Sequence, residues 1–98
     1  MSAWHNESMD TLCEGILHLQ NKEECMAFLD DICTIKELQD LAQRFSVAKM
    51  LDQGLSYSEI SRATGASTAT ISRVSRAFTY GAGGYRTVIE RMKSEENA

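Results

Sequence analysis

The sequence predicts an all-α protein of about six helices, and three observations support this fold class. None of the 98 residues is a proline, so no position forces a break in a helix. Apolar side chains recur at intervals of three and four residues through most of the chain, as they do along one face of a helix. The alternation of apolar and polar residues that is typical of half-buried strands does not occur. At this length we predict one domain, residues 1–98.

Two helices are predicted in the N-terminal third of the chain. The first runs from about Asn6 to Gln20, and the second follows Asn21, which forms a capping-box-like signal with Glu24. A small monomer has few places to bury their apolar faces, and each large side chain left in water forgoes about 1.5–3 kcal/mol. We therefore expect residues 1–33 to be mainly dimerisation helices that pack across a two-fold axis. The alternative is a compact monomer in which both helices fold back onto the third.

The third helix is predicted to be the longest. Thr34 and Glu37 give its start signal, and it continues to about Gln53, just before Gly54. Because its apolar stripe is long, we expect this helix to be the central one, between the N-terminal pair and the helix-turn-helix.

Residues 56–80 are predicted to form a helix-turn-helix. Ser56 and Glu59 make a capping box that starts one short helix, and Gly65 supplies the positive φ that often ends one. Ser67 can cap a second helix, whose apolar face is turned toward the first. Such a pair is the DNA-reading unit of many regulators. The apolar positions of the second helix are Ile71, Val74 and Phe78.

The outward face of the second helix has the composition of a surface that binds DNA. Its residues are small, hydroxyl-bearing or basic, and the helix contains no acidic residue. Hydroxyls can reach base edges or phosphates, and arginines can pair with guanine or phosphate. A helical hairpin with a merely solvated face is the alternative, although such a face usually mixes charges of both signs. The predicted DNA-binding residues are Ser58, Arg62, Ser67, Thr68, Ala69, Ser72, Arg73 and Arg76.

The glycine-rich segment GAGG, residues 81–84, is predicted to end the recognition helix, and a last helix begins at about Tyr85.

The net charge of −4 is unevenly distributed along the chain. Residues 1–40 carry two basic and nine acidic side chains, a net −7, whereas residues 41–98 carry eight basic and five acidic ones, a net +3. The positive field therefore lies on the half that contains the helix-turn-helix, and only the charges that meet phosphate contribute to counterion release.

Other function classes find little support in the sequence. Cys13, Cys25 and Cys33 form no CxxC pair and fall on apolar helix stripes, so we expect small buried side chains in a reducing compartment. No metal-ligand spacing, catalytic dyad or phosphate-binding loop occurs, and we expect no metal, no cofactor and no enzymatic activity. No signal peptide or membrane span is visible, which favours a cytoplasmic protein.

From Thr34 to about Arg91 the chain resembles the tryptophan repressor family, and most closely its YerC/YecD branch. The matching stretches are TIKELQDLAQRFSVAKMLDQG before the helix-turn-helix and LSYSEISRATGASTATISR within it. The resemblance implies an intertwined, all-helical homodimer that represses transcription at a palindromic operator. Thr68, Ala69 and Ser72 match family positions that face base pairs.

The resemblance also bears on the family's effector, tryptophan. Arg44 and Arg73 match the two arginines that sandwich its indole ring, and Thr34 matches a threonine of the same pocket. Val74, however, stands where the repressor has a glycine beside the ligand, and Ala77 replaces a serine that helps to hold the amino group. We therefore expect that tryptophan is not the corepressor; a different small effector is left open.

The sequence thus favours a dimeric, sequence-specific regulator that binds double-stranded DNA. The alternative is an interaction module that uses the same helix pair to bind another protein.

Overall fold

The computed structural model describes residues 4–97, which form six α-helices and, within that range, no strand. The helices are α1 (Glu7–Leu17), α2 (Lys22–Ile32), α3 (Ile35–Asp52), α4 (Tyr57–Thr64), α5 (Thr68–Tyr80) and α6 (Gly84–Glu96). The predicted all-α class and the predicted number of helices are confirmed. The largest difference from the predicted boundaries is at the end of α1, which ends at Leu17 rather than near Gln20; α6 begins at Gly84, one residue before its predicted start.

Side-chain caps set the starts of the first three helices. Asn6 accepts a hydrogen bond from the backbone N–H of Met9 at 2.9 Å, and Asn21 accepts one from that of Glu24 at 2.8 Å. At the start of α3, Glu37 N donates to Thr34 Oγ1 at 3.1 Å, and Thr34 N donates to Glu37 Oε1 at 2.8 Å. These two reciprocal bonds form a capping box, which satisfies backbone donors that have no partner within the helix.

The chain divides into two compact units, one up to Leu38 and one from Gln39 onward. In the first unit neither α1 nor α2 buries a single residue. Large apolar side chains are exposed instead, Leu17 by 83% and Ile35 by 75%. The expectation of buried cysteines is wrong for the single chain: Cys13 is exposed, while Cys25 and Cys33 are half-buried. Other apolar side chains of these helices, such as Ile16 and Met26, are exposed as well.

The second unit contains the hydrophobic core. Helices α3, α4, α5 and α6 and the turn between α4 and α5 all contribute to it, and half-buried side chains such as Phe45, Phe78 and Tyr85 pack around it. An ion pair between Lys93 Nζ and Asp52 Oδ2, 3.0 Å long, connects α6 with the end of α3. The buried core residues are Val47, Ala48, Ile60, Ala66, Ile71, Val74 and Ile89.

Within residues 4–97, no helix is both long enough and apolar enough to cross a bilayer. The same residues bring together no group of three or more His, Cys, Asp or Glu side chains that could hold a metal ion.

Candidate nucleic-acid interface

Helix α4 begins with the predicted capping box. Glu59 N donates to Ser56 Oγ at 3.2 Å, and Ser56 N donates to Glu59 Oε2 at 2.8 Å. The helix buries Ile60 against the core and leaves Ser58 and Arg62 exposed. The first turn of α4 is therefore fixed by its own side chains, and two of the residues assigned to DNA lie on its solvent side.

The turn between α4 and α5 is held by several short hydrogen bonds. Gly65 has a φ of +73°, a left-handed conformation that glycine adopts without steric cost. Ser61 Oγ donates to the carbonyl of Ala66 at 2.9 Å. Thr64 Oγ1 donates to the carbonyl of Ile60 at 2.7 Å and accepts from Ala66 N at 3.1 Å. Ala66 is also buried, so the turn is held to the core by its side chain as well as by its backbone hydrogen bonds.

One further bond connects this turn to α3. Gln43 Nε2 donates to the carbonyl of Thr64 at 3.2 Å, so that α3 holds the C-terminal end of α4. The bond joins residues 21 positions apart. Sequence reasoning missed it, since no periodicity or motif relates a glutamine on a long helix to a backbone carbonyl so far along the chain.

Helix α5 is anchored at both ends and along its inner face. Ser67 Oγ accepts from Thr70 N at 3.1 Å, as the predicted cap requires, and Ile71 and Val74 are buried. Near the C-terminal end, Arg86 Nε donates to the Phe78 carbonyl at 2.9 Å, and the guanidinium carbon lies 4.4 Å from the centre of the Phe78 ring. This cation–π contact from α6 was also not predicted, and it fixes the far end of α5.

The outer side of the helix-turn-helix carries the predicted DNA-binding set. All eight residues are exposed: Ser58, Arg62, Ser67, Thr68, Ala69, Ser72, Arg73 and Arg76. Within the part of the chain that the structure describes, Arg62, Arg73 and Arg76 form no ion pair with an acidic side chain. Helix α5 has no acidic residue to oppose them. The arrangement presents cations, hydroxyls and small side chains on one face, with the core behind it.

A comparison with protein families decides what kind of helix-turn-helix this is. The model of the Trp repressor protein family matches residues 7–93, which is nearly the whole chain. The chain belongs to the Trp repressor family. This confirms the resemblance that the sequence motifs indicated, and it extends the match to the N-terminal helices.

Comparisons with individual proteins support this assignment. The chain is 50% identical over 90 residues to the uncharacterised protein YerC of Bacillus subtilis (strain 168), a match that covers 92% of this chain and 86% of YerC. A crystal structure of a candidate Trp repressor from Staphylococcus aureus superimposes with a TM-score of 0.87 at 47% identity, covering 91% of this chain and 89% of that one. A TrpR-like protein from Eubacterium eligens ATCC 27750 gives a TM-score of 0.86 at 46% identity, covering 90% and 91%.

The Trp repressor family is one of helix-turn-helix regulators and is generally not enzymatic. The match of this family's model to the chain is consistent with a sequence in which no catalytic motif was found.

Two of the three residues expected to form the family's effector pocket lie together in the second unit. Arg44 and Arg73 line one small cavity of about 150 Å³ between α3 and α5, together with Asp40, Gln43, Thr70 and Val74. Thr34 belongs to the N-terminal unit, where its hydroxyl caps α3. Val74 is only 2% exposed, so its side chain is part of the core rather than free space beside a ligand.

Proposed function

We propose that this protein is a DNA-binding transcriptional regulator that represses transcription as a homodimer at a palindromic operator. The observation that carries the proposal is the outer face of α5. It presents exposed arginines and hydroxyls without one acidic side chain, on a helix that the core, the turn and α6 hold rigidly. Membership of the Trp repressor family supports the same function.

In this proposal α5 lies in the major groove. Ser67, Thr68, Ala69, Ser72 and Arg73 face the base pairs, while Ser58, Arg62 and Arg76 lie nearer the sugar–phosphate backbone. Phosphate contacts fix the register of the helix on the duplex, and contacts to base edges specify the sequence. The bond between Gln43 and the Thr64 carbonyl then has a clear role, because it sets the angle at which the helix pair leaves α3.

The exposed apolar side chains of the N-terminal helices support the homodimer. Leu17 and Met26 are 83% and 59% exposed, and no residue of α1 or α2 is fully buried in the single chain. Burial across a two-fold axis would recover about 1.5–3 kcal/mol for each such side chain. A dimer also places two recognition helices about 34 Å apart, so that they meet successive major grooves on one side of the duplex.

Tryptophan is not the effector in this proposal. Sites for small molecules generally have volumes of about 300–1,000 Å³, and in the single chain the cavity beside Arg44 and Arg73 has about 150 Å³. The buried Val74 side chain fills the adjoining space. Arg44 is then a structural residue, and Arg73 is available to contact DNA.

The test is the salt dependence of binding to a duplex enriched by selection from a random library. We expect Arg73→Ala to weaken binding by about 1–3 kcal/mol per recognition helix, and to reduce the slope of log K against log [salt] by about 1 per helix if the lost contact is to phosphate. Arg91→Ala is the matched control, since it removes the same charge from an exposed position on α6. Both variants are measured at several salt concentrations by fluorescence anisotropy.

Equal affinities for the two variants, with no dependence on salt, would contradict the proposal. That outcome would favour the alternative in which the same surface binds a protein, because such a contact does not release condensed counterions from a duplex.

A further inference from the structure

We infer that Arg86 is a positioning residue for DNA binding: from α6 it holds the C-terminal end of α5 at the angle at which the outer face of α5 fits the duplex. The inference rests on the proposed DNA-binding function and adds to it a residue that lies outside the predicted DNA-binding set. Arg86 contacts Phe78, which packs around the core, and not the outer face of α5.

The connection between α5 and α6 does little to fix the angle between the two helices. It consists of Gly81, Ala82 and Gly83, and Gly83 has a φ of +87°. Glycine is free to adopt a wide range of backbone conformations, and no side chain caps the start of α6. Contacts made by side chains must therefore supply the restraint that this connection lacks.

Arg86 supplies this restraint through two contacts. Its Nε donates to the Phe78 carbonyl at 2.9 Å, and this carbonyl lies in the last turn of α5, where carbonyls have no N–H partner within the helix. Its guanidinium carbon lies 4.4 Å from the centre of the Phe78 ring, within the range of a cation–π contact. Helix α5 has no basic residue in its own last turn, so α6 supplies the cation that stabilises a helix C-terminus.

Helix α6 is itself fixed within the second unit. Arg86, Ile89 and Lys93 lie on one face of α6, because residues three and four positions apart are neighbours on a helix surface. Ile89 is 2% exposed and belongs to the core, and Lys93 Nζ lies 3.0 Å from Asp52 Oδ2 at the end of α3. Arg86 therefore connects α5 to a helix that the core and α3 already hold.

The N-terminal end of α5 is held by separate contacts, among them the bond from Gln43 to the Thr64 carbonyl. Without Arg86, α5 would be free to tilt about this end. Arg76 lies eight residues after Thr68, or about 12 Å along the axis, so a tilt of about 10° would move it by about 2 Å. Hydrogen-bond lengths vary by only about 0.5 Å, so a contact from Arg76 to DNA would be lost.

The test compares Arg86→Gln with Arg91→Gln on the duplex enriched by selection. Both substitutions remove an arginine charge from an exposed position of α6, and Arg86 is the one that contacts Phe78. We expect Arg86→Gln to weaken binding about tenfold for each recognition helix, the effect of losing one arginine contact to DNA, and Arg91→Gln to bind nearly as the wild type does. Arg86→Lys keeps a cation beside the ring and should retain more affinity than Arg86→Gln.

The preferred separation of the two operator half-sites distinguishes positioning from direct contact. A change of one base pair moves a half-site by about 3.4 Å and rotates it by about 35° around the duplex. We expect the wild type and Arg91→Gln to bind best at one separation, because their recognition helices are rigidly held. Arg86→Gln should bind duplexes whose separation differs by one base pair with similar affinities, because its α5 can tilt.

Phe78→Leu tests the route through which Arg86 acts. It removes the aromatic ring and keeps an apolar side chain to pack around the core. We expect it to reduce the preference for one separation, and we expect Arg86→Gln to have a smaller effect on affinity in this background than in the wild type. Fully additive effects of the two substitutions would contradict this route. If Phe78→Leu fails to fold, the comparison of Arg86→Gln with Arg86→Lys still tests the contact.

Equal affinities and equal separation preferences for Arg86→Gln and Arg91→Gln would overturn the inference and leave the proposed function standing. A loss of affinity in Arg86→Gln that is the same at every separation would also overturn it, because a direct phosphate contact or a general loss of stability produces that result. If the wild-type protein binds no duplex in a salt-dependent manner, the proposed function itself fails, and the inference fails with it.

Discussion

Val74 connects the stability of the protein with the question of its effector, and its truncation gives the most informative prediction. The side chain is 2% exposed and belongs to the core cluster beneath α5. Val74→Ala removes the equivalent of two buried methylene groups, at about 0.8 kcal/mol each, and leaves a cavity that adds to this loss. We expect the free energy of unfolding to fall by about 2 kcal/mol. For a chain of this length that corresponds to a decrease in Tm of about 8–16 °C.

The assay is thermal and urea unfolding followed by circular dichroism, at one fixed protein concentration because an oligomer's Tm depends on it. Val88→Ala is the matched control: it is the same chemical change at a side chain that is 48% exposed, and we expect a loss of at most about 0.5 kcal/mol. If Val74→Ala proved as mild as Val88→Ala, Val74 would not be a packing residue. Calorimetry of the wild-type protein with tryptophan should likewise show no micromolar binding, and such binding would refute the same reasoning.

Two further predictions concern residues at helix ends: a glycine whose Cβ position is blocked, and a capping carboxylate. A Cβ atom at Gly81 would collide with the backbone oxygen of Ala77, so Gly81→Ala should destabilise the protein measurably in urea unfolding. A Cβ atom at Gly84, in the first turn of α6, would meet nothing within 4 Å, so Gly84→Ala should be neutral or slightly stabilising; equal effects of the two would contradict the steric argument. Hydrogen bonds from the backbone and side chain of Thr34 hold the pKa of Glu37 below its ordinary value of 4.5. The ionised carboxylate therefore stabilises the folded protein at pH values above 4.5, and this stabilisation is lost as the pH falls through the lowered pKa. The unfolding midpoint of the wild type should therefore decrease more between pH 5 and pH 3 than that of Glu37→Gln, whose amide keeps the capping bond without titrating, and parallel pH profiles would exclude this role.

The features of the fold that sequence reasoning predicted are local ones. Each helix start depends on residues within three or four positions of one another, such as Ser56 with Glu59 or Ser67 with Thr70, and such pairs can be recognised by spacing alone. The positive φ at Gly65 and the buried faces of α4 and α5 follow from equally short-range patterns.

The features that could not be predicted join residues far apart in the chain. The hydrogen bond from Gln43 to the Thr64 carbonyl and the ion pair between Lys93 and Asp52 depend on how helices pack, which periodicity does not encode. The cysteines illustrate a different limit. Their spacing predicted apolar helix stripes, but such a stripe does not say whether the same chain or a second copy covers it, and in the single chain Cys13 is exposed.

The central claim is that the outer face of α5 reads a specific DNA sequence, and selection from a random duplex library tests it most directly. Purified protein is incubated with the library at moderate salt, and the bound sequences are amplified and sequenced over several rounds. The proposal predicts enrichment of an inverted repeat whose half-site centres lie about one helical turn, roughly 34 Å, or a multiple of that, apart. Enrichment of no motif, both alone and with a pool of amino acids and metabolites added, would contradict it.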